Sequence, residues 1–409
     1  MTALFEVKEG LLVAFDAMRA NKLRSLLTTL GIVIGILTVT LMAAAIQGLN
    51  RAFLKSISTM GADVLHVSQF SWFTRSNTDW LKQQNRQIIT VAQVREVERQ
   101  MTLARAVAPY VDWSAQVSYK KRSSARAHII GTTEQFIFTG GMTVADGRFF
   151  SAAESDGARP VCIIGAKVVT NLFQGQSPLG ELIRLGPYNF EVVGTLAVQG
   201  NFMGEFSLDN FIVIPVKQIV ANFGNNPRCT IQVKASDPAR LDETKEELRG
   251  VLRKIRRVPP TEEDDFSINQ QETLVGTFNR VAGTIAAVGL FITGLSLFVG
   301  GIGIMNIMFV SVAERTREIG IRKAIGAKRR AILLQFLMEA SGICLFGGLI
   351  GVGLAWPITL LMQKALPAQL SLPSVAVALG VSLVTGVVSG FLPAWRAARM
   401  NPVDALRSE

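Results

Sequence analysis

The sequence predicts an α-helical membrane protein with four transmembrane helices and a large extracytoplasmic α+β domain between helices one and two. Three observations carry this: where the charges are missing, how dense they are elsewhere, and where the basic residues cluster. Only 18% of the 409 residues are charged, 49% are hydrophobic and the mean hydropathy is +0.33. Windows 25–50, 281–313, 340–363 and 365–395 contain no Asp, Glu, Lys or Arg. Outside them the charge density is about 25%, the ordinary globular value. Each window exceeds the 18 or so apolar residues needed to cross about 30 Å of hydrocarbon as a helix. A soluble enzyme, a secreted disulfide scaffold and a disordered chain are excluded.

The lead, 1–24, places Leu4, Leu11, Leu12, Phe15 and Met18 on one helical face beside Lys8, Arg19 and Lys22. It reads either as an amphipathic helix on the inner membrane surface or as a topogenic flank. Span one follows at 25–50. It is too long and too rich in Gly, Ile and Val for a cleaved signal sequence, so it is expected to stay in the mature protein.

Basic residues resist translocation, so those near the spans set orientation. Lys8, Arg19, Lys22 and Arg24 precede span one; Arg315, Arg317, Arg322, Lys323, Lys328, Arg329 and Arg330 follow span two; Arg396, Arg399 and Arg407 follow span four. The link between spans three and four has only Lys364. Both termini are therefore expected in the cytoplasm, with 51–280 as one domain outside. That domain carries 27 basic and 23 acidic residues, so the high pI is largely topological and nucleic-acid binding is not expected.

Within 51–280, Thr90 with Gln93 has the form of a capping box opening a helix with Val94, Val97 and Met101 on one face. Ser151 with Glu154 repeats the device ahead of a short buried strand at 161–165. A hairpin is expected about Gly186 and Pro187, between 182–185 and 190–196. Residues 211–214 read as a strand, Pro215 as the first residue of a helix, and 230–233 as another strand. Leu241, Leu248, Leu252 and Ile255 share a helical face; 72–86 and 259–265 read as loops. The run Arg253, Lys254, Arg256 and Arg257 reads as a solvated helix face or a contact for lipid headgroups or a partner. No catalytic or metal-ligating set emerges: there is no Gly-x-Ser-x-Gly elbow and no CxxC, and the two histidines, His66 and His128, lack an evident partner in the linear sequence. Cys162 and Cys229 are either one disulfide or two separate buried thiols.

Span two, 281–313, would be about 50 Å long as a helix, well beyond the hydrocarbon thickness. It is expected to project beyond the membrane as a rigid lever that transmits motion. Spans three and four occupy 331–363 and 374–395, joined by an outer loop at 364–373, with a cytoplasmic tail at 396–409. Each span carries small residues four apart: Gly31 and Gly35, Ser296 and Gly300, Gly347 and Gly351, Gly386 and Gly390. Such spacing favours close helix packing in lipid. Apart from Glu339 at the inner edge of span three, the spans have no Asp, Glu, Lys, Arg or His, so a hydrophilic path for a polar solute is not expected.

Between spans two and three stands ERTREIGIRKAIGA, 314–327, with isoleucines among charges of both signs. It reads either as a positive-inside loop or as a segment that docks on a cytoplasmic partner. The segment closely resembles the coupling-helix motif of the MacB/FtsX-type permeases of ABC transporters. The lead RANKLRSLLTTLGIVIG, 19–35, resembles that family's entry into span one. The elements Gly131-Thr132, Gly147-Arg148-Phe149-Phe150, Asn171-Leu172-Phe173, Pro178-Leu179-Gly180 and Val192-Val193-Gly194 resemble its periplasmic core domain. PAWRAARMNPVDALR, 393–407, resembles its C-terminal signature.

The resemblance implies an inner-membrane permease subunit that couples ATP hydrolysis to motion of a periplasmic domain and drives export of a periplasmic substrate. A cytoplasmic ABC ATPase would dock on Glu314, Arg315, Arg317, Glu318, Ile319, Gly320, Ile321, Arg322, Lys323 and Gly326. A second permease copy, membrane lipid, and a periplasmic adaptor with an outer-membrane channel are the other implied partners. A lipoprotein-releasing permease resembling LolC or LolE, and an FtsX-like regulator of a cell-wall hydrolase, are the alternatives. MacB itself carries an ATPase domain on the same chain. This sequence has no Gly-x-x-x-x-Gly-Lys-Ser/Thr loop, so no cofactor is expected in it, and ATP and Mg are expected in a separate ATPase subunit.

Overall fold

The computed structural model describes residues 22–407 except 58–60, 75, 203–205, 208, 223–226 and 365. The expected lead helix lies almost wholly outside the described residues. The chain divides into two compact units, Ala52–Asn279 and the segments Met1–Arg51 with Arg280–Glu409.

The first long helix, α1, is Lys22–Ile57, and it leads to strand β1, Val64–Ser68. Next come α2 (Asn77–Gln84), α3 (Val91–Gln100), β2 (Ala104–Tyr119), β3 (Arg122–Thr132), α4 (Phe136–Thr139), β4 (Val144–Gly147) and α5 (Ala152–Asp156). They are followed by β5 (Val161–Ile164), α6 (Ala166–Phe173), β6 (Leu182–Leu185), β7 (Tyr188–Leu196), β8 (Asn201–Phe202) and β9 (Phe206–Ser207). The unit continues with β10 (Phe211–Pro215), α7 (Val216–Asn222), β11 (Thr230–Ala235), α8 (Leu241–Arg256) and β12 (Ser267–Gln270). Among these, a mixed ten-stranded sheet runs β12-β1-β11-β2-β3-β10-β5-β7-β4, with β6 on β2 and β7, while β8 and β9 pair separately.

Strand alternation builds a core on each face of this sheet. Ile212, Ile214, Cys162, Ile164 and Ile129 join one core, to which α3 adds Val94 and Val97, α6 adds Leu172 and Phe173, and α8 adds Leu248 and Leu252. Phe211, Val213, Val161, Ile163 and Ile130 point the other way, into a second core with Phe136 and Phe150. The parallel pairs β3–β10 and β5–β7 lie inside this doubly covered region, where β5 and β10 are buried throughout. Buried parallel strands read as unbroken apolar runs for this reason.

Three local expectations need correction. Residues 72–86 are not all loop, because Ser76 accepts from the Thr78 amide and starts α2. Pro215 ends β10 rather than opening α7, since its register partner in β3 is Thr132. The basic run at the end of α8 is only half a solvated face: Arg256 is 1% exposed in its side chain and pairs with Asp265, and Arg253 pairs with Asp264, while Lys254 and Arg257 are exposed. The capping boxes of α3 and α5 are formed, and an antiparallel hairpin joins β6 to β7.

The helical unit holds most of the remaining elements: α9 (Gln271–Glu314), α10 (Thr316–Ala324), α11 (Arg329–Met362), α12 (Leu372–Arg399) and α13 (Pro402–Arg407). Among the described residues, four helices are long and apolar enough to cross a membrane: Thr29–Ile57, Gln271–Glu314, Arg329–Met362 and Leu372–Arg399. Small residues mark their crossings. A Cβ built on Gly31 would stand 3.1 Å from the Gly300 Cα, and one on Gly35 would stand 2.9 Å from Leu297. Gly347 and Gly351 face Ile32 and Val33 of α1; Gly386 faces Ser341, and Gly390 faces Ala340 of α11. Ser382 donates to the Cys344 carbonyl at 2.5 Å, tying α12 to α11. Ser296 lies on α9 one turn before Gly300 and donates to its own helix at Ile292.

Candidate functional site

The segment 314–327 makes the turn between α9 and α11. Helix α9 ends at Glu314, Arg315 leaves helical geometry at φ −101° and ψ 15°, and α10 follows. The turn out of α10 passes Gly326 at φ +99°, a left-handed value that glycine adopts without a Cβ penalty.

The ten residues singled out in this segment divide into two groups. Glu314, Arg317, Glu318, Ile321 and Gly326 are exposed, together with Ala324 and Ile325. Ile321 is 47% exposed and Ile325 81%. Within α10, positions 317, 318, 321 and 324 follow helical spacing and form one stripe; Ile325 caps its C-terminal end, and Glu314 closes α9 before the break. Two bare isoleucines flanked by charges of both signs suit an amphipathic helix laid into a partner's groove.

The other group turns inward. Ile319 and Gly320 are buried, and Ile319 joins the core formed by Met308, Val312, Ile332 and Phe336. Arg315 reaches Glu339 on α11 at 3.4 Å. Arg322 donates to Gln335 on α11 at 2.8 Å and pairs with Glu318. Lys323 donates to the Met400 carbonyl between α12 and α13; burial, with Arg329 nearby, holds its ammonium below the ordinary lysine range. Helix α13 packs on α10. Glu339 and Gln335 were not among the expected site residues, although their spacing of four on one face of span three is visible in the sequence.

In the α/β unit, α3, α5 and α7 border a groove of about 390 Å³ whose walls include Arg95, Glu98, Asp156 and Lys217. Lys217 pairs with Asp156 at 2.9 Å and Arg95 stands 3.8 Å from it, so the groove is polar and internally neutralised. The fold also brings Asp112 within 3.7 Å of His128, a pairing hidden in the linear sequence, while His66 packs on Trp72. Among the described residues no group of His, Cys, Asp and Glu is arranged to hold a metal ion. Cys162 and Cys229 are separate buried thiols, and burial pushes that of Cys229 up to about 12.

Comparison with known proteins places this geometry in a family. Residues 25–251 match the MacB-like periplasmic core domain, and residues 290–402 match the FtsX-like permease C-terminal domain. The macrolide export ATP-binding/permease protein MacB of Bdellovibrio bacteriovorus is 34% identical over 99% of this chain and 62% of its own length. The pyoverdine export ATP-binding/permease protein PvdT of Pseudomonas entomophila is 33% identical over 99% of this chain and 60% of its own. The chain thus spans about three-fifths of the length of these curated relatives. The crystal structure of the periplasmic region of MacB from Actinobacillus actinomycetemcomitans covers 55% of this chain and 95% of its own, at 17% identity and a TM-score of 0.45. With one family model over more than half of its residues and a second over its C-terminal spans, the chain belongs to the MacB/FtsX-type permeases of ABC transporters and is a multi-pass membrane protein.

Proposed function

We propose that this chain is the membrane-spanning subunit of an ATP-driven exporter that passes motion, not solute, across the bilayer. The exposed residues of α10 and its ends, 314, 317, 318, 321, 324 and 325, carry the reading, because the two isoleucines among them stand bare at the inner turn of the helical unit. A separate ABC ATPase, holding ATP and Mg, docks there. The charge-free windows at 25–50, 281–313 and 365–395 support motion over solute passage, since a polar route through lipid needs ionisable or water-lined groups. The basic segments support an inner-membrane orientation with both termini in the cytoplasm and the α/β unit outside.

Two copies of the chain form the working permease, and the export names of the relatives support a periplasmic substrate handed to an adaptor and outer-membrane channel. The test is capture of the ATPase from native membranes in mild detergent, read by mass spectrometry. Ile321→Asp with Ile325→Asp, or Glu314→Ala with Arg317→Ala, is expected to lower ATPase recovery at least about 10-fold, as loss of central anchors does, with membrane insertion unchanged. Undiminished recovery from both pairs would overturn the docking assignment.

A further inference from the structure

The inward half of the same segment does something the docking stripe does not explain. Arg315, at the break before α10, and Arg322, seven positions on and within it, both reach the same face of α11, at Glu339 and Gln335. Lys323 adds a third tie, to the Met400 carbonyl. Of these partners Glu339 is the costly one. It is 2% exposed, and its Oε1 has no hydrogen-bond partner among the described residues. Ser311, one turn before Arg315 on α9, is likewise buried with its hydroxyl unpartnered.

A buried carboxylate with one oxygen unmatched is a poor device for stability, because desolvation opposes the Coulomb gain. An apolar side chain would fill the place more cheaply. What the pair fixes is location: one charged contact has a single low-energy arrangement, whereas an apolar contact slides.

We infer that Glu339 is a positioning residue, which clamps Arg315 to the third long helix and thereby sets where the docking stripe stands. The ATPase then moves α11 and the end of α12 together with α9, rather than α9 alone. The inference rests on the docking reading only for its consequence; the clamp itself is tested on the purified chain without any ATPase.

Amide hydrogen exchange over 316–324 in detergent is the measurement. Glu339→Ala is expected to speed exchange there about 10-fold or more, the signature of a lost local tether, while exchange in β10 stays as it was. Glu339→Gln, which keeps an acceptor for Arg315, is expected to restore most of the protection. Glu339→Met, which fills the space without pairing, is expected to behave like Glu339→Ala. Arg315→Ala alone is expected to be worse than Arg315→Ala with Glu339→Ala, because the single change strands a buried charge. That ordering stands in for Glu339→Ala if the latter accumulates poorly.

Unchanged exchange in Glu339→Ala, full protection in Glu339→Met, or strict additivity in the double variant overturns the clamp. ATPase capture that survives the stripe variants overturns the docking reading instead and leaves the exchange result standing.

Discussion

Glu154 shows how much a single side chain can hold in the α/β unit. It closes the capping box of α5 by accepting from the Ser151 amide at 2.8 Å, and it also receives both terminal nitrogens of Arg148, at 2.7 and 2.8 Å. A bidentate pair of this kind is among the stronger charge-assisted contacts. The Arg148 hydrogen bonds, with Ser151 behind them, hold the Glu154 carboxyl down at about 2, against an ordinary 4.5. A carboxylate with a lowered folded value contributes fully above the unfolded value. Its contribution fades as pH falls from about 4.5 toward about 2. Arg148 is 55% exposed in its side chain, so solvent screens part of the gain. Glu154→Gln is expected to cost about 1–2 kcal/mol at neutral pH and to flatten the acid limb of stability, read by denaturant unfolding between pH 6 and 2.5. An acid limb as steep as in the unsubstituted protein would show that the pair is not the source. The capping box was legible because its two residues are three apart. Arg148 was not, since the contact closes across the turn between β4 and α5.

At the scale of elements, the small-residue pairs were legible in the spans but their partners were not, because a spacing of four names a face without naming what covers it. The structure separates glycines at a crossing from glycines in the open. A Cβ on Gly386 would meet the Ser341 Cα at 2.7 Å and the Ala340 carbonyl oxygen at 3.0 Å, so backbone has to give way. Gly380, on the same helix, has nothing within 4 Å of the equivalent point. Gly386→Ala is therefore expected to lose about 1–3 kcal/mol through overpacking. Gly380→Ala is expected to be neutral or to gain up to about 1 kcal/mol from reduced backbone freedom. Thermal unfolding in detergent compares the two, and equal shifts would mean that the α11–α12 crossing adjusts freely. Helix α2 was missed for the opposite reason: its interior, Thr78, Asp79, Lys82 and Gln83, is too polar to print an apolar stripe, and only the Ser76 cap marks its start.

Charge distribution made the division into apolar spans and one large domain visible at the scale of the whole chain, since a hydrocarbon solvent excludes ions over a length that any reader can count. The order of ten strands was not visible, because sheet order depends on long-range pairings such as β1 with β11 and β12, for which the sequence carries no local signal. One element bears directly on the proposed transmission of motion. Helix α9 runs unbroken for 44 residues and supplies residues to both compact units. If it acts as a lever, its stiffness is the property that matters, and a kink should abolish coupling while sparing docking. Gly283 is the place to test this, because a Cβ there meets nothing within 4 Å and a substitution disturbs only the helix itself. Gly283→Pro removes one backbone hydrogen bond, pushes against the carbonyl four residues back and kinks the helix, at a cost of about 3 kcal/mol; Gly283→Ala controls for the added side chain. In the complex with its ATPase, the measurement is the change in amide exchange across β3, β5 and β10 when a non-hydrolysable nucleotide is added. Gly283→Ala is expected to keep that change, and Gly283→Pro is expected to lose it with ATPase recovery intact. A nucleotide response that persists through the proline would mean that motion reaches the α/β unit by α1, and α9 would then be a tether rather than a lever.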